Sequence, residues 1–300
     1  MKGKLVNTQH WNQYSTVLCG MAVLMAALSG APAMAEDSPD EAALIAILES
    51  DADWLAKQTA CRALRQSGTA KAVPALAALL NDPELSNLAR YALEPMDNPE
   101  AGKALRDALN TTEGLLKSGV IGSIGARQDS LAVPLLLPLL DAAELDVASA
   151  PAGALGRIAT QEAAEKLLAA YPDADPALKP AIAEGLLAAG QYMMEGDRRQ
   201  KAAALFQQII DGDFAQHARL GAFYGLAFAQ PRQAPQRLID ALAGDDPQFR
   251  GTAARVIAET AGEQRTREYA DVLPKLPYAG QAALLNGLAR RGDPVARPAV

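Results

Sequence analysis

The chain has 300 residues, half of them apolar, yet only 5% are aromatic, so its interior has to be built from alanine and leucine rather than from large rings. Its 28 basic and 35 acidic side chains leave a net charge of −7, which argues against a polyanionic partner such as nucleic acid. With the first 35 residues set aside, one cysteine and one histidine are left, so a zinc site with His/Cys ligands or a Cys–His dyad would have to come from those two alone.

Residues 1–35 read as a secretory signal peptide. Lys2 and Lys4 precede an apolar run from Val17 to Leu28, then Ser29, Gly30, Pro32 and the small-x-small site Ala33-Met34-Ala35, with cleavage expected before Glu36. The apolar run is shorter than the ~20 residues that span a bilayer, so no integral membrane span is expected after cleavage, and the mature chain is expected to be periplasmic or secreted. The mature form keeps 26 bases against 35 acids, a net charge of −9, and only Cys61 and His217 of its cysteines and histidines. The charge is uneven: residues 36–170 carry 11 bases and 20 acids, whereas 171–300 carry 15 of each.

Residues 36–50 predict a lone N-terminal capping helix, opened by Ser38-Pro39 and Glu41 in a capping-box arrangement. From residue 51 the chain repeats. The segments "CRALRQSG", "RYALEPMD", "IGSIGARQ", "AGALGRIA", "AEGLLAAG", "FYGLAFAQ", "ARVIAETA" and "LNGLARRG" align on Leu64, Leu93, Ile124, Leu155, Leu186, Leu226, Ile257 and Leu288, at spacings of 29, 31, 31, 31, 40, 31 and 31. The residue before each is small in seven of eight cases, as close helix packing requires. Eleven residues before it stands an acid in six repeats (Asp53, Asp82, Glu113, Glu144, Asp175, Asp246), where a helix should start and its free N–H groups need a partner. Seven before it stands Lys57, Lys117, Lys179, Arg219 or Arg250. A second apolar segment follows each first helix, as in "AVPALAALL" and "QAPQRLIDAL", so each unit is a helical hairpin too small to bury a core without its neighbours.

The 40-residue step marks an extended hairpin over 176–211. "QYMMEGDRR" (191–199) lengthens both helices, with the loop expected at Gly196-Asp197. All five phenylalanines (206, 214, 223, 228, 249) fall in this repeat and the next two. One reading is a change of stack curvature filled by aromatic rings. The other is a protruding partner-binding surface made by Tyr192, Met193, Met194, Arg198 and Arg199, since methionine adapts to irregular surfaces and Arg and Tyr are favoured at interface centres. Residues 278–300 predict an incomplete last repeat whose open end needs another chain or a continuation to cover it.

The stretches "GDDPQFRGTAARVIAETAG" and "NDPELSNLARYALEPMDNPEAGKAL" resemble HEAT repeats, and the hairpin around "EGD" is similar to a tetratricopeptide unit. The resemblance implies an all-α, right-handed α-solenoid of about eight HEAT-like helical hairpins, with second helices lining the concave face. It is also similar to the helical-repeat portion of exported bacterial proteins that carry a 3-keto-disaccharide hydrolase type domain. The expected function is an exported, non-enzymatic scaffold or protein-binding module with a protein or peptide partner, and no catalytic, cofactor-binding or metal-binding residue is assigned. Two readings stay beside it: a helical module of a larger carbohydrate-active secreted protein, and a lyase or chaperone acting on a cofactor, as some HEAT-like proteins do. The glycines of "GVIGSIG" lie inside a repeat helix with no strand before them, so they are read as packing residues and not as a phosphate loop.

Overall fold

Small aliphatic residues at helical spacing, punctuated every thirty-one residues by caps and prolines, fold into paired helices. In the computed structural model, which describes residues 40–299 apart from 196 and 261, a lone helix α1 (Glu41–Glu49) is followed by α2 (Trp54–Ser67) with α3 (Val73–Ala78), α4 (Ser86–Leu93) with α5 (Pro99–Ala108), and α6 (Gly114–Ala126) with α7 (Val133–Leu136). The pairs α8 (Leu145–Ile158) with α9 (Gln161–Ala170), α10 (Lys179–Met194) with α11 (Arg199–Asp211), α12 (Gln216–Ala229) with α13 (Ala234–Ala243), and α14 (Pro247–Glu259) with α15 (Glu263–Val272) come next. Helix α16 (Tyr278–Arg291) and a 3-10 turn (Pro294–Ala299) end the described chain. No strand occurs among the described residues, and the arrangement is an α-solenoid. The signal peptide expected over 1–35 and Ser38 of the expected capping box lie outside the described residues.

The eight aligned aliphatic residues are all buried, Leu64 through Leu288, so the sequence period is the period of the core. Neighbouring first helices pack on one another, α6 on α8, α8 on α10 and α14 on α16. The approach is close enough to require glycine: a Cβ on Gly185 would sit 2.3 Å from the carbonyl oxygen of Ala152, and one on Gly156 would sit 2.4 Å from that of Gly185. Gly125 of "GVIGSIG" has the same role, with Ala154 Cα 2.7 Å from a built Cβ. The buried side chains form two apolar clusters, one from Leu44 to Ala229 and one from Phe223 to Ala296, and both draw on α12.

Capping follows side-chain length. Asp53 accepts from the N–H of Ala56 at 2.8 Å, and Asp246 accepts from Gln248 and Phe249 at 2.7 and 3.2 Å. Glu113 and Glu144 stand at the same position and make no cap bond, because the extra methylene carries the carboxylate past the first-turn N–H groups. Asp246→Ala is expected to cost about 1 kcal/mol, and Glu144→Asp, whose backbone (φ −88°, ψ 120°) is close to that of Asp246 (φ −76°, ψ 113°), to gain about 0.5 kcal/mol, both read by urea denaturation. Glu41 accepts from the N–H and hydroxyl of Thr69 at 2.6 and 3.0 Å, tying α1 to the first repeat. Asp40 caps α1.

The bases one turn into the first helices do not form a charge ladder. Among the described residues none of them pairs with the acid four positions earlier. Arg219 donates to the carbonyl of Ile210 at 2.9 Å and Arg250 to that of Gly244 at 2.6 Å, where the preceding second helices end with free carbonyls and a negative dipole end. Lys179 lies over the ring of Tyr171.

Two arginines at the far end of their first helices bind the preceding repeat more firmly. Arg127 donates to the carbonyls of Leu93, Glu94 and Met96 at 2.7, 2.9 and 2.7 Å and to that of Asn98 at 3.2 Å. Arg291, three residues after its aligned leucine as Arg127 is after Ile124, donates to the carbonyls of Ile257 and Gly262, each at 2.8 Å. Burial pulls both guanidinium groups below their ordinary pKa, and nearby carboxylates oppose it, Asp129 and Asp97 at Arg127 and Asp293 at Arg291. Arg127→Lys keeps the charge and loses the fork, and is expected to cost about 2 kcal/mol in the midpoint of chemical unfolding.

Candidate functional site

The lengthened hairpin breaks where expected, between Met194 and Arg199, and both helices exceed most of their counterparts: α10 has 16 residues and α11 has 13. Its side chains, however, turn inward. Met193 is 2% exposed and belongs to the core, and Tyr192 and Met194 are half-buried against it. Arg198 donates to the carbonyl of Ala159 at 2.6 Å, clamping a residue that ends α8 in the left-handed region (φ 50°). Arg199 is exposed and reaches the carbonyl of Phe228 at 3.5 Å. The contact surface expected from Tyr192, Met193, Met194, Arg198 and Arg199 is therefore not a continuous outward patch: Met193 is withdrawn into the interior and Arg198 is engaged with backbone. Arg199 and the outer sides of Tyr192 and Met194 remain accessible.

The aromatic residues explain the extra length. Phe206 of α11, 3% exposed, is wedged between α10 and α12: a Cβ on Gly190 would lie 2.4 Å from its ring, and one on Gly225 would lie 2.6 Å from it. At the other end of the hairpin Phe214 stacks on Tyr171 with ring centroids 3.9 Å apart. Rings thus occupy the gap that the small residues of the earlier repeats close by direct contact.

The residues best suited to nucleophilic chemistry are poorly placed for it. Cys61 is fully buried, and desolvation pushes its thiol up to about 11, so the reactive thiolate is scarce at neutral pH. His217 is exposed in the first turn of α12. Among the described residues no group of three or more His, Cys, Asp and Glu side chains is arranged to hold a metal ion.

A cleft of about 670 Å³ opens on the edge of the stack where second helices hand over to first helices. Its walls come from the turn after α7 and the start of α8 on one side, and from the end of α9, the 171–178 turn and the start of α10 on the other. Alanines, including Ala143, Ala170 and Ala174, give it width, and Leu140 and Leu178 form apolar ground. Asp141, Asp173 and Asp175 line it, and no basic side chain does. Asp175 is committed to the N–H of Ala177 at 2.8 Å, while Asp141 and Asp173 are exposed and make no ion pair among the described residues. Leu145 stands at the rim, 48% exposed, and Leu115, 78% exposed, occupies a similar first-turn site one repeat earlier. A second hollow of about 190 Å³ shares Ala142 and Ala143 with the first and adds Glu113, Glu144 and Lys117. The volume of the main cleft is in the range that holds a small ligand or a few side chains of a peptide. The sequence signal for it is weak: a leucine in the exposed first turn, where polar residues are the rule, and the Ala-rich turns after Asp141 and Asp173.

Residues 41–119 match the family model of HEAT repeats, so the chain carries HEAT-like helical repeats. No curated protein matches the sequence. Among solved structures, human deoxyhypusine hydroxylase in complex with glycerol is similar at 20% identity, over 79% of this chain and 90% of that one, with a TM-score of 0.38. The complex of CpcE and CpcF of phycocyanin lyase from Nostoc sp. PCC7120 is similar at 18% identity, over 91% and 97%, with a TM-score of 0.32, and an engineered protein at 19% identity, over 84% and 78%, with a TM-score of 0.36. The expectation that the chain is not an enzyme is corrected here. Two of these similar chains carry the names of a hydroxylase and a lyase, so an all-helical repeat stack is no ground for denying catalysis, and at such TM-scores the likenesses assign no chemistry to this chain either.

Proposed function

We propose that this chain is an exported HEAT-like scaffold that binds a protein or peptide segment on the edge of its stack. The observation that carries the reading is the wide, alanine-walled cleft between α8 and α10, lined by Asp141 and Asp173 and flanked by exposed leucines. A contiguous apolar patch rimmed by polar side chains is the usual mark of a contact surface. Export rests on the leader pattern of residues 1–35. Among the described residues no helix is long and apolar enough to cross a membrane. The hairpin at 191–199 enters the same reading as a secondary contact through Arg199 and the outer sides of Tyr192 and Met194. The resemblance to exported proteins that carry a 3-keto-disaccharide hydrolase type domain rests on the repeat pattern alone and adds no residue to the site.

Affinity capture from the native cell envelope and medium tests the reading. A defined protein is expected at near-equal molar amounts with the wild type, reduced by Ala143→Trp in the cleft, and reduced less by Arg199→Glu at the hairpin. Recovery of the same proteins by an unrelated carrier of equal net charge would sink it.

A further inference from the structure

Resting on that reading, the geometry points to a partner segment of defined chemistry: a peptide stretch in which lysine or arginine alternates with small aliphatic side chains, seated in the cleft between α8 and α10. Charge, shape and apolar content each narrow the choice. Asp141, Asp173 and Asp175 line the cleft without an opposing base, and the adjoining hollow adds Glu113 and Glu144 against Lys117 alone. Asp141 lies in the half of the chain with 20 acids to 11 bases, and Asp173 and Asp175 open the balanced half. An anionic or nucleic-acid partner meets repulsion there. A bare cation is a poor occupant, since no metal-holding group of acids exists among the described residues and most of the wall is alanine and leucine. A cationic side chain can lay its methylene stem along those alanines and present its head to Asp141 or Asp173, while the aliphatic neighbours meet Leu140, Leu145 and Leu178. Complementary charge of this kind sets specificity and association rate more than it sets final affinity.

Panning the full chain against a random-peptide display library is expected to enrich sequences combining Lys or Arg with Leu, Ile or Val. The affinity of the leading peptide, read by fluorescence anisotropy, is expected to fall as salt rises and to weaken about tenfold in the double variant Asp141→Asn/Asp173→Asn, the sum of two partly exposed ion contacts. Asp175 is left intact because it caps a turn. Enrichment of acidic or uncharged sequences overturns the proposal and leaves the scaffold reading standing. Cationic peptides whose affinity is unchanged both in the double variant and in Ala143→Trp, with helical circular dichroism preserved, bind elsewhere and overturn it as well. A library yielding nothing above the bare-support control counts against the scaffold reading itself.

Discussion

Gly185→Ala is expected to destabilise the stack by about 3 kcal/mol, even though alanine is the better helix former. The new methyl group would lie 2.3 Å from the carbonyl oxygen and 2.9 Å from the carbonyl carbon of Ala152, both on the backbone of a packed neighbouring helix that cannot swing aside as a side chain would. Helix α8 would have to move off α10, and Gly156, whose own Cβ position is 2.4 Å from the Gly185 carbonyl, leaves no alternative register. Gly153→Ala supplies the control on the facing helix α8. Nothing lies within 4 Å of its built Cβ, so the substitution is expected to stabilise by about 0.5–1 kcal/mol through backbone entropy alone. Urea denaturation of both variants separates packing from propensity: equal and favourable shifts would show that the two helices do not touch backbone to backbone.

Phe206→Ala is expected to cost about 4 kcal/mol, the usual price of emptying a buried phenylalanine site that cannot collapse. Collapse is blocked here because the ring is flanked by glycines, Gly190 on α10 and Gly225 on α12, which have no side chains to fill the void. The same geometry makes the sites interdependent. Gly190→Ala alone drives a methyl group into the ring at 2.4 Å and is expected to cost about 2 kcal/mol, but combined with Phe206→Ala it should cost far less than the sum. A double-mutant cycle on chemical unfolding checks this, and strict additivity would show that the ring is not the spacer between α10 and α12.

The fold was legible because its determinants are local and repeated. The aligned aliphatics recur at a fixed period and are buried, and the caps at Asp53 and Asp246 and the end of α10 at Met194 follow from residues within one turn of each other, whereas Asp82 and Asp175 bond to the turns before their helices instead of capping them. What was not legible depends on partners about thirty residues away. Nothing near Arg127 announces that its guanidinium will gather four carbonyls of the preceding repeat, since those carbonyls are free only because that repeat ends where it does. Met193 and Arg198 carried the composition of an interface, yet the helix phase that buries Leu186 and Ala189 also buries Met193, and Arg198 finds the carbonyl of Ala159. The cleft escaped for the same reason. Its floor is the spacing between two repeats, a quantity that no single segment encodes, and its acids resemble any other turn aspartates until both walls are present.

Helix α12 supplies Leu226 to one apolar cluster and Phe223 and Ala227 to the other. A load applied at either end of the chain therefore meets a joint there. Bending can concentrate at one helix while the repeats on each side keep their own interiors intact.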